Sequence, residues 1–407
     1  MPVYLDHAAT TPMRPEAVAA LTAALATVGN PASIHSAGQR AKRSLEESRA
    51  VIAATLDADP IELVLTGNGT EAINLAVKGL YWQRQHDARR PRVVLPAGEH
   101  HATLDTVEWL AAHDGAEVVE LPVDALGRLS TDALAAELEA HAAEIALVTM
   151  LWANNEVGTV QPVAEVAALT AAAGVPLHLD AVAAYGQLPV GLHALRRETA
   201  AKPGEGLVAI SVSAHKIGGP AGIGGLVLDR TGRIEPLIHG GGQQRRVRSG
   251  TQDVAAAAAF AAAAETVALR LDADAARMAA LRDRLIAGVA EAVPGAVLSG
   301  DPDAAGRLPG NAHFAFPGCE GDSLLFLLDA AGVAVSTGSA CQAGVPEPSH
   351  VLLAMGRSET EARGALRVTL GHDSTDADVD AFLAALPAAH ERAARAGLAA
   401  RRTSFDR

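Results

Sequence analysis

Lys216 closes the run "VAISVSAHK", just past an apolar, β-rich stretch and just before the glycine-rich "IGGPAGIGG". A primary amine at the mouth of a buried strand is costly unless it is paired or used covalently. The covalent use is condensation with an aldehyde cofactor, which makes pyridoxal 5'-phosphate the group to look for. Taken alone, Lys216 reads better as a solvated loop lysine. Its companions matter more. Such a cofactor needs an acid against its ring nitrogen, and Asp180 ends the strand "PLHLDA", where it could otherwise be a helix N-cap. The phosphate needs backbone amides at a helix N-terminus. "LTGNGTEAINLAVKG" has the order strand, glycine turn, helix, with Gly69 and Thr70 at the turn, although an ordinary βα loop has the same pattern. "EHHATLD" offers His100 or His101 to cover the ring and move protons, or to make a structural hydrogen bond. "ANNEVGT" offers amides that donate and accept without titrating, or a plain Asx-turn. No one of these decides the chemistry, but all five follow strand ends, and independent loops rarely agree so well.

The elements that must position these residues can be read from the pattern. β-Rich runs fall at 62–66, 92–96, 117–121, 145–151, 176–181, 207–213 and 224–229, with helix candidates at 70–81, 131–142 and 162–173 among those between. This alternation predicts a mostly parallel sheet covered on both faces, whose ligands bind at the carboxyl ends of the strands. After residue 250 an Ala-rich helical stretch covers 254–292, followed by strands near "AHFAF", "VAVST" and "LRVTLG", a smaller α+β domain. The polar segment 195–206 is expected to be a surface loop.

Composition narrows the function. The 407 residues carry 47 acidic and 33 basic side chains, a formal net charge of -14, which argues against a broad electrostatic grip on nucleic acid. "MPVYLDHAATTP" does not read as a signal peptide. The longest purely apolar run, 254–264, falls well short of the roughly 18 residues that span a bilayer. A cytoplasmic protein without a membrane partner is expected. Two cysteines far apart, Cys319 and Cys341, argue against a disulfide scaffold or a cysteine-rich metal site.

The blocks "YLDHAATTP", "GNPASIH", "TGNGTEAINLAVKG", "EHHATLDTVEWL", "WANNEVGTVQPV", "HLDA", "SAHKIGGPAGIG", "HGGGQQRRVRSGT", "STGSACQAG" and "LRVTLG", in this order from Tyr4 to Gly371, resemble the signature of the cysteine desulfurases. The likeness is to the NifS/IscS branch of the class V aminotransferase superfamily. It implies the aspartate aminotransferase-like, fold type I architecture of pyridoxal-phosphate enzymes, usually a homodimer. The implied division is a large cofactor domain at 16–252 and a small domain at 253–407, with residues 1–15 belonging to the small one. By the same resemblance Lys216 is the Schiff-base lysine, Asp180 the partner of the ring nitrogen, and His100 the stacking acid/base. Asn155 contacts the ring oxygen and substrate. Gly69, Thr70, Ser213 and His215 bind the phosphate, Thr251 reaches it from the other subunit, and Arg367 and Asn30 hold the substrate carboxylate. A guanidinium does match a carboxylate bidentately, although a lone Arg is more often in a surface ion pair.

Cys341, in the small-residue run "STGSACQAG", is the expected nucleophile: a thiolate attacks sulfur, and this composition suits a mobile loop. Cys319, in "FPGCEGD", is expected to be structural. The implied reaction converts L-cysteine to L-alanine and leaves a persulfide on Cys341 for a sulfur-acceptor protein. That acceptor could serve iron–sulfur cluster assembly, tRNA thiolation or another thiolation pathway. A selenocysteine lyase or another class V enzyme is the alternative on this fold, and a metal-dependent hydrolase using the "EHH" and "HLD" side chains is the alternative chemistry. Three positions depart from the family pattern: Ala183 stands for a cofactor-contacting Gln, Ala214 for a Gly, and Ile73 for an acidic or amide residue.

Overall fold

The computed structural model of the chain describes residues 3–338 and 348–401, with side chains described to Arg395. A seven-stranded sheet forms the centre. In spatial order its strands are Leu63–Thr66, Gly224–Leu228, Gly206–Ser213, Pro176–Asp180, Ile145–Leu151, Arg92–Pro96 and Glu117–Leu121. Gly224–Leu228 runs antiparallel to both its neighbours, and the pairings from Gly206–Ser213 across to Glu117–Leu121 are parallel. The near-continuous burial of Ile145–Leu151 and Gly206–Ser213 is what a sheet covered on both faces requires. Helices Gly69–Arg84, His101–Asp114, Thr131–His141 and Val163–Ala173 form the connections.

The polar loop expected at 195–206 begins as helix. Leu192–Glu198 is helical because Leu192 and Leu195, three residues apart, are both buried, while Arg196 pairs with Asp229 at 3.1 Å. Charge in that stretch masked a short amphipathic turn.

A second, three-stranded antiparallel sheet has the order Ala365–Thr369, Asn311–Ala315, Val297–Ser299, and Val3–Tyr4 pairs in parallel with Val333–Ala334. Phe314, Phe316, Leu324, Leu366 and Phe382 fill the core of this part. The 39-residue helix Val254–Ala292 serves both cores: Ala257, Phe260 and Ala264 pack with the large sheet, Leu281, Leu285 and Val289 with the small one. Among the described residues it is the one helix long and apolar enough to cross a membrane. Its apolar face is instead a core face, with Ala257, Ala259, Phe260, Ala263 and Ala264 fully buried and the helix lying against Pro15–Leu25 and Ser36–Ala54.

Candidate active site

The carboxyl ends of the large sheet open into a cavity of about 380 Å³. Leu63–Thr66 delivers the first wall. Asn68 caps helix Gly69–Arg84 by accepting from the Glu71 amide at 2.7 Å, so Gly69 and Thr70 form its first turn and line the cavity. A Cβ on Gly69 would lie 2.8 Å from Val182 Cγ2, so only glycine lets the chain pass this closely. Opposite stands Ser213, whose Oγ is buried without a hydrogen-bond partner. His215 touches Thr10 Oγ1 at 3.2 Å, and burial followed by the Lys216 charge pushes its pKa down to about 4.

Asp180 ends its strand at the cavity floor, 2% exposed. Its Oδ1 accepts from the Val182 amide at 2.9 Å, and burial raises its pKa to about 6 against the opposing pull of that bond and of Lys216. Beneath it, two residues back on the same strand face, His178 spans Thr149 Oγ1 and Ser211 Oγ at 2.8 Å each. Burial pushes that imidazole down to about 3, so it is a neutral strut.

Lys216 ends the short helical turn Ala214–Lys216. Burial, with Arg367 as the next cause, lowers its amine to about 8. Nζ donates to the Ala8 carbonyl and, at 2.9 Å, to the Ala9 carbonyl. His100 caps helix His101–Asp114 through Nδ1, which accepts from the Ala102 amide at 3.0 Å. Burial and then Lys216 drive its pKa down to about 4, so the ring is neutral, and the occupied Nδ1 assigns its proton to Nε2. Asn155 lines the wall after Ile145–Leu151, and its carbonyl accepts from Arg367 Nη1 at 2.9 Å. Arg367, in the small sheet, points Nη2 at Asp6 Oδ1, 3.1 Å away, and leaves Nε buried and unpartnered.

The structure therefore gathers Gly69, Thr70, His100, Asn155, Asp180, Ser213, His215, Lys216 and Arg367 around one cavity. Asn30 and Thr251 are not on its wall. Asn30 Oδ1 accepts from the Ala32 amide in its own turn, and Thr251 is exposed ahead of helix Val254–Ala292. Cys341 lies outside the described residues. On either side of it in sequence, Gly338 and His350 line the cavity, and Ser349 Oγ donates to Glu156 Oε2 at 2.5 Å. Cys319 is buried in the core around the small sheet, where burial raises its thiol pKa.

The departures fit locally. Ala214 is fully buried, and Gly219 leaves room for it, since a Cβ there would lie 2.9 Å from the Ala214 methyl. Ile73 and Ala183 line the wall, and Gln187, four residues after Ala183, joins them, its Oε1 accepting from the Gly310 amide at 2.9 Å.

Sequence reasoning missed Asp6, whose role depends on a contact across the whole chain. It also missed Glu99, buried with Oε1 on the Leu151 amide and Oε2 unpartnered, its pKa pushed well up by burial. Its place directly before His100, at a strand end, was the available signal.

These residues suit pyridoxal 5'-phosphate. A helix N-terminus and an orphaned buried hydroxyl meet a phosphate, a buried carboxylate meets a ring nitrogen, and a lysine with a depressed pKa meets an aldehyde. Comparison with known proteins agrees. The aminotransferase class-V family model matches residues 3–382. The chain is 51% identical over 398 residues to an IscS-like cysteine desulfurase of Mycobacterium tuberculosis, covering 98% of each. It is 39% identical over 387 residues to a cysteine desulfurase of Cereibacter sphaeroides, covering 95% of each. A solved NifS-like protein superposes with a TM-score of 0.85 at 32% identity, covering 96% of this chain and 99% of that one. The fold is the expected type I architecture, and the chain belongs to the class-V aminotransferase family, among its cysteine desulfurases.

Proposed function

We propose that this protein converts L-cysteine to L-alanine and retains the sulfur as a persulfide on Cys341. The observation that carries the reading is the meeting, in one cavity, of the Lys216 amine, the buried Asp180 carboxylate, the Gly69–Thr70 helix start and the Arg367 guanidinium. Pyridoxal 5'-phosphate would be held there by Gly69, Thr70, Ser213 and His215 at its phosphate, Asp180 at its ring nitrogen, His100 on its ring and Asn155 at its ring oxygen. When bound, it supplies the electron sink that makes the substrate's Cα–H acidic.

The chain's own groups do the rest. Arg367 pairs with the substrate carboxylate and so fixes the amino acid's orientation. Lys216 Nζ, with its pKa near 8, is partly uncharged at neutral pH and takes the α-proton. Asp180 would stay ionised beside a cationic ring nitrogen, because an adjacent positive charge lowers a carboxyl pKa. His100 carries its proton on Nε2 and faces the cavity as a donor rather than a base. Cys341 Sγ, as thiolate, forms a bond to the substrate sulfur as the substrate's Cβ–S bond breaks. The electron pair stays with the substrate carbon, which takes a proton to become the methyl group of L-alanine, and Lys216 returns a proton to Cα. Atoms balance as L-cysteine plus a thiol giving L-alanine plus a persulfide.

The sulfur then passes to an acceptor protein in iron–sulfur cluster assembly, tRNA thiolation or a related pathway. The reading includes a homodimer in which Thr251, and with it Asn30, reach the neighbouring site. What supports this is that neither side chain joins the cavity of its own chain. A cytoplasmic location and the division at residues 15 and 252 belong to the same reading. The test is to incubate the holoenzyme with L-cysteine and measure alanine together with cyanide-labile sulfur. Wild type yields both, Cys341→Ser yields no protein-bound persulfide, and Lys216→Ala yields neither. Alanine formation by Cys341→Ser at the wild-type rate would sink the assignment.

A further inference from the structure

The cavity holds two cations, the half-buried Lys216 and Arg367, the latter with only 7% of its side chain exposed. Buried cations need counter-charge or hydrogen-bond acceptors. One segment meets both needs. The carbonyls of Ala8 and Ala9 accept from Lys216 Nζ, and Asp6 Oδ1 stands 3.1 Å from Arg367 Nη2. Among the described residues Asp6 is the one carboxylate within ion-pair distance of Arg367. The guanidinium's other neighbours supply no counter-charge: the Asn155 carbonyl at Nη1, His313, paired with Arg367 across the small sheet and fully buried, and Lys216, a like charge.

Asp6 is also fixed in place. Its own carbonyl accepts from Tyr4 Oη at 3.0 Å. On either side of it, Leu5 N donates to the Ala334 carbonyl at 2.9 Å and Ala8 N donates to Thr369 Oγ1 at 2.9 Å. Thr369 N returns a bond to the Leu5 carbonyl at 2.8 Å. The main chain that carries the carboxylate is therefore pinned beside Arg367.

We propose that Asp6 is a positioning residue that sets substrate affinity: it anchors the Arg367 guanidinium and, as a like charge, weakens the hold of the site on the substrate's carboxylate. This rests on Arg367 being the carboxylate-binding residue. Without substrate, Asp6 supplies the counter-charge that keeps a buried guanidinium in one orientation. With substrate, two carboxylates share one cation, and the site binds more weakly than Arg367 alone would. The gain is a preformed subsite that needs no reorganisation. Asp6 also lies near enough to Lys216 to stabilise its charge, so the test must separate an effect on the carboxylate subsite from one on the amine.

The discriminating variant is Asp6→Asn, which keeps the side-chain acceptor and its shape but removes the charge. The holoenzyme is titrated by calorimetry with L-alanine, which has a carboxylate and an amine, and with cysteamine, which has an amine and no carboxylate. Asp6→Asn is expected to bind L-alanine roughly three- to tenfold tighter, the scale of one partly screened like-charge contact. Cysteamine affinity should shift by less. The KM for L-cysteine should fall with the L-alanine Kd, by a larger factor than any change in kcat. Unchanged or weaker L-alanine binding overturns the proposal. Equal tightening of both ligands also overturns it, since Asp6 would then act through Lys216, and so does failure of Asp6→Asn to fold, since the charge would then serve stability and not affinity. A wild-type enzyme that makes no alanine from L-cysteine refutes the desulfurase reading itself. A wild type that does, paired with an Asp6→Asn variant that gains nothing, refutes only the role of Asp6.

Discussion

Replacing Asp180 by Asn should stabilise the cofactor-free protein while weakening the cofactor-bound one. Asp180 is 2% exposed, and burial raises its pKa from 3.8 to about 6. At about 1.4 kcal/mol per pH unit, a carboxylate raised this far costs the folded apo protein about 3 kcal/mol once both folded and unfolded forms are ionised. The sign follows from the proton count. Below about pH 4 the group is protonated in both states and costs nothing. Between about pH 4 and pH 6 the unfolded chain ionises first, and stability falls. Above about pH 6 the full cost is present. Asn keeps the oxygen that accepts from the Val182 amide and removes the charge, so it escapes this penalty. Urea unfolding of the two apoproteins at pH 7.5 should show Asp180→Asn more stable by about 3 kcal/mol, with the difference vanishing near pH 4. The same substitution should release pyridoxal 5'-phosphate more readily and abolish turnover, a site that trades stability for function. An apo variant no more stable than wild type at pH 7.5, or an advantage that does not depend on pH, would refute the claim that Asp180 is held as a costly buried charge.

Three further outcomes follow from other parts of the molecule. Gly69→Ala should weaken cofactor binding by about tenfold or more, measured by cofactor release, because its Cβ would stand 2.8 Å from Val182 Cγ2 and crowd the first turn of the phosphate-side helix. In the apoprotein, Lys216 should react with an amine-directed acylating reagent with a midpoint near pH 8, well below the ordinary 10.5, as read by mass spectrometry of the labelled peptide. Gln244, Arg245 and Arg246 form three consecutive left-handed residues, with φ of 48°, 59° and 64°. Gln244 uses the turn to bond both the amide and the carbonyl of Leu65, whereas Arg246 is exposed, so Arg246→Gly should raise unfolding free energy by about 1 kcal/mol.

The legibility of this protein was uneven for physical reasons. Strands such as Arg92–Pro96 and Ile145–Leu151 could be read to the residue because a sheet buried on both faces demands short apolar runs bounded by turn residues. Val254–Ala292 was equally plain, because alanine and the charged helix formers after it leave no competing conformation. Leu192–Glu198 was not, since one buried turn with arginines on its outer side carries too little pattern to outweigh its polarity.

The chemical residues were legible where each stands next to a strand end, as Gly69, His100, Asn155, Asp180 and Lys216 do, because parallel strands deliver their carboxyl ends to one edge. Local sequence sufficed to nominate these groups and the chemistry they could share. It did not extend to their charge states. Asp180 near 6, Lys216 near 8 and His100 near 4 are set by burial, which no window of neighbouring residues contains. Nor did it reach Asp6, which meets Arg367 only because the segment after Val3–Tyr4 crosses onto the small sheet 361 residues away in sequence. Residue type and local period are properties of a stretch of chain, while desolvation and ion pairing belong to whatever the fold brings alongside it. Most of the site's inventory was therefore written in the sequence, while Asp6, Glu99 and the electrostatics of the site were decided by the tertiary structure.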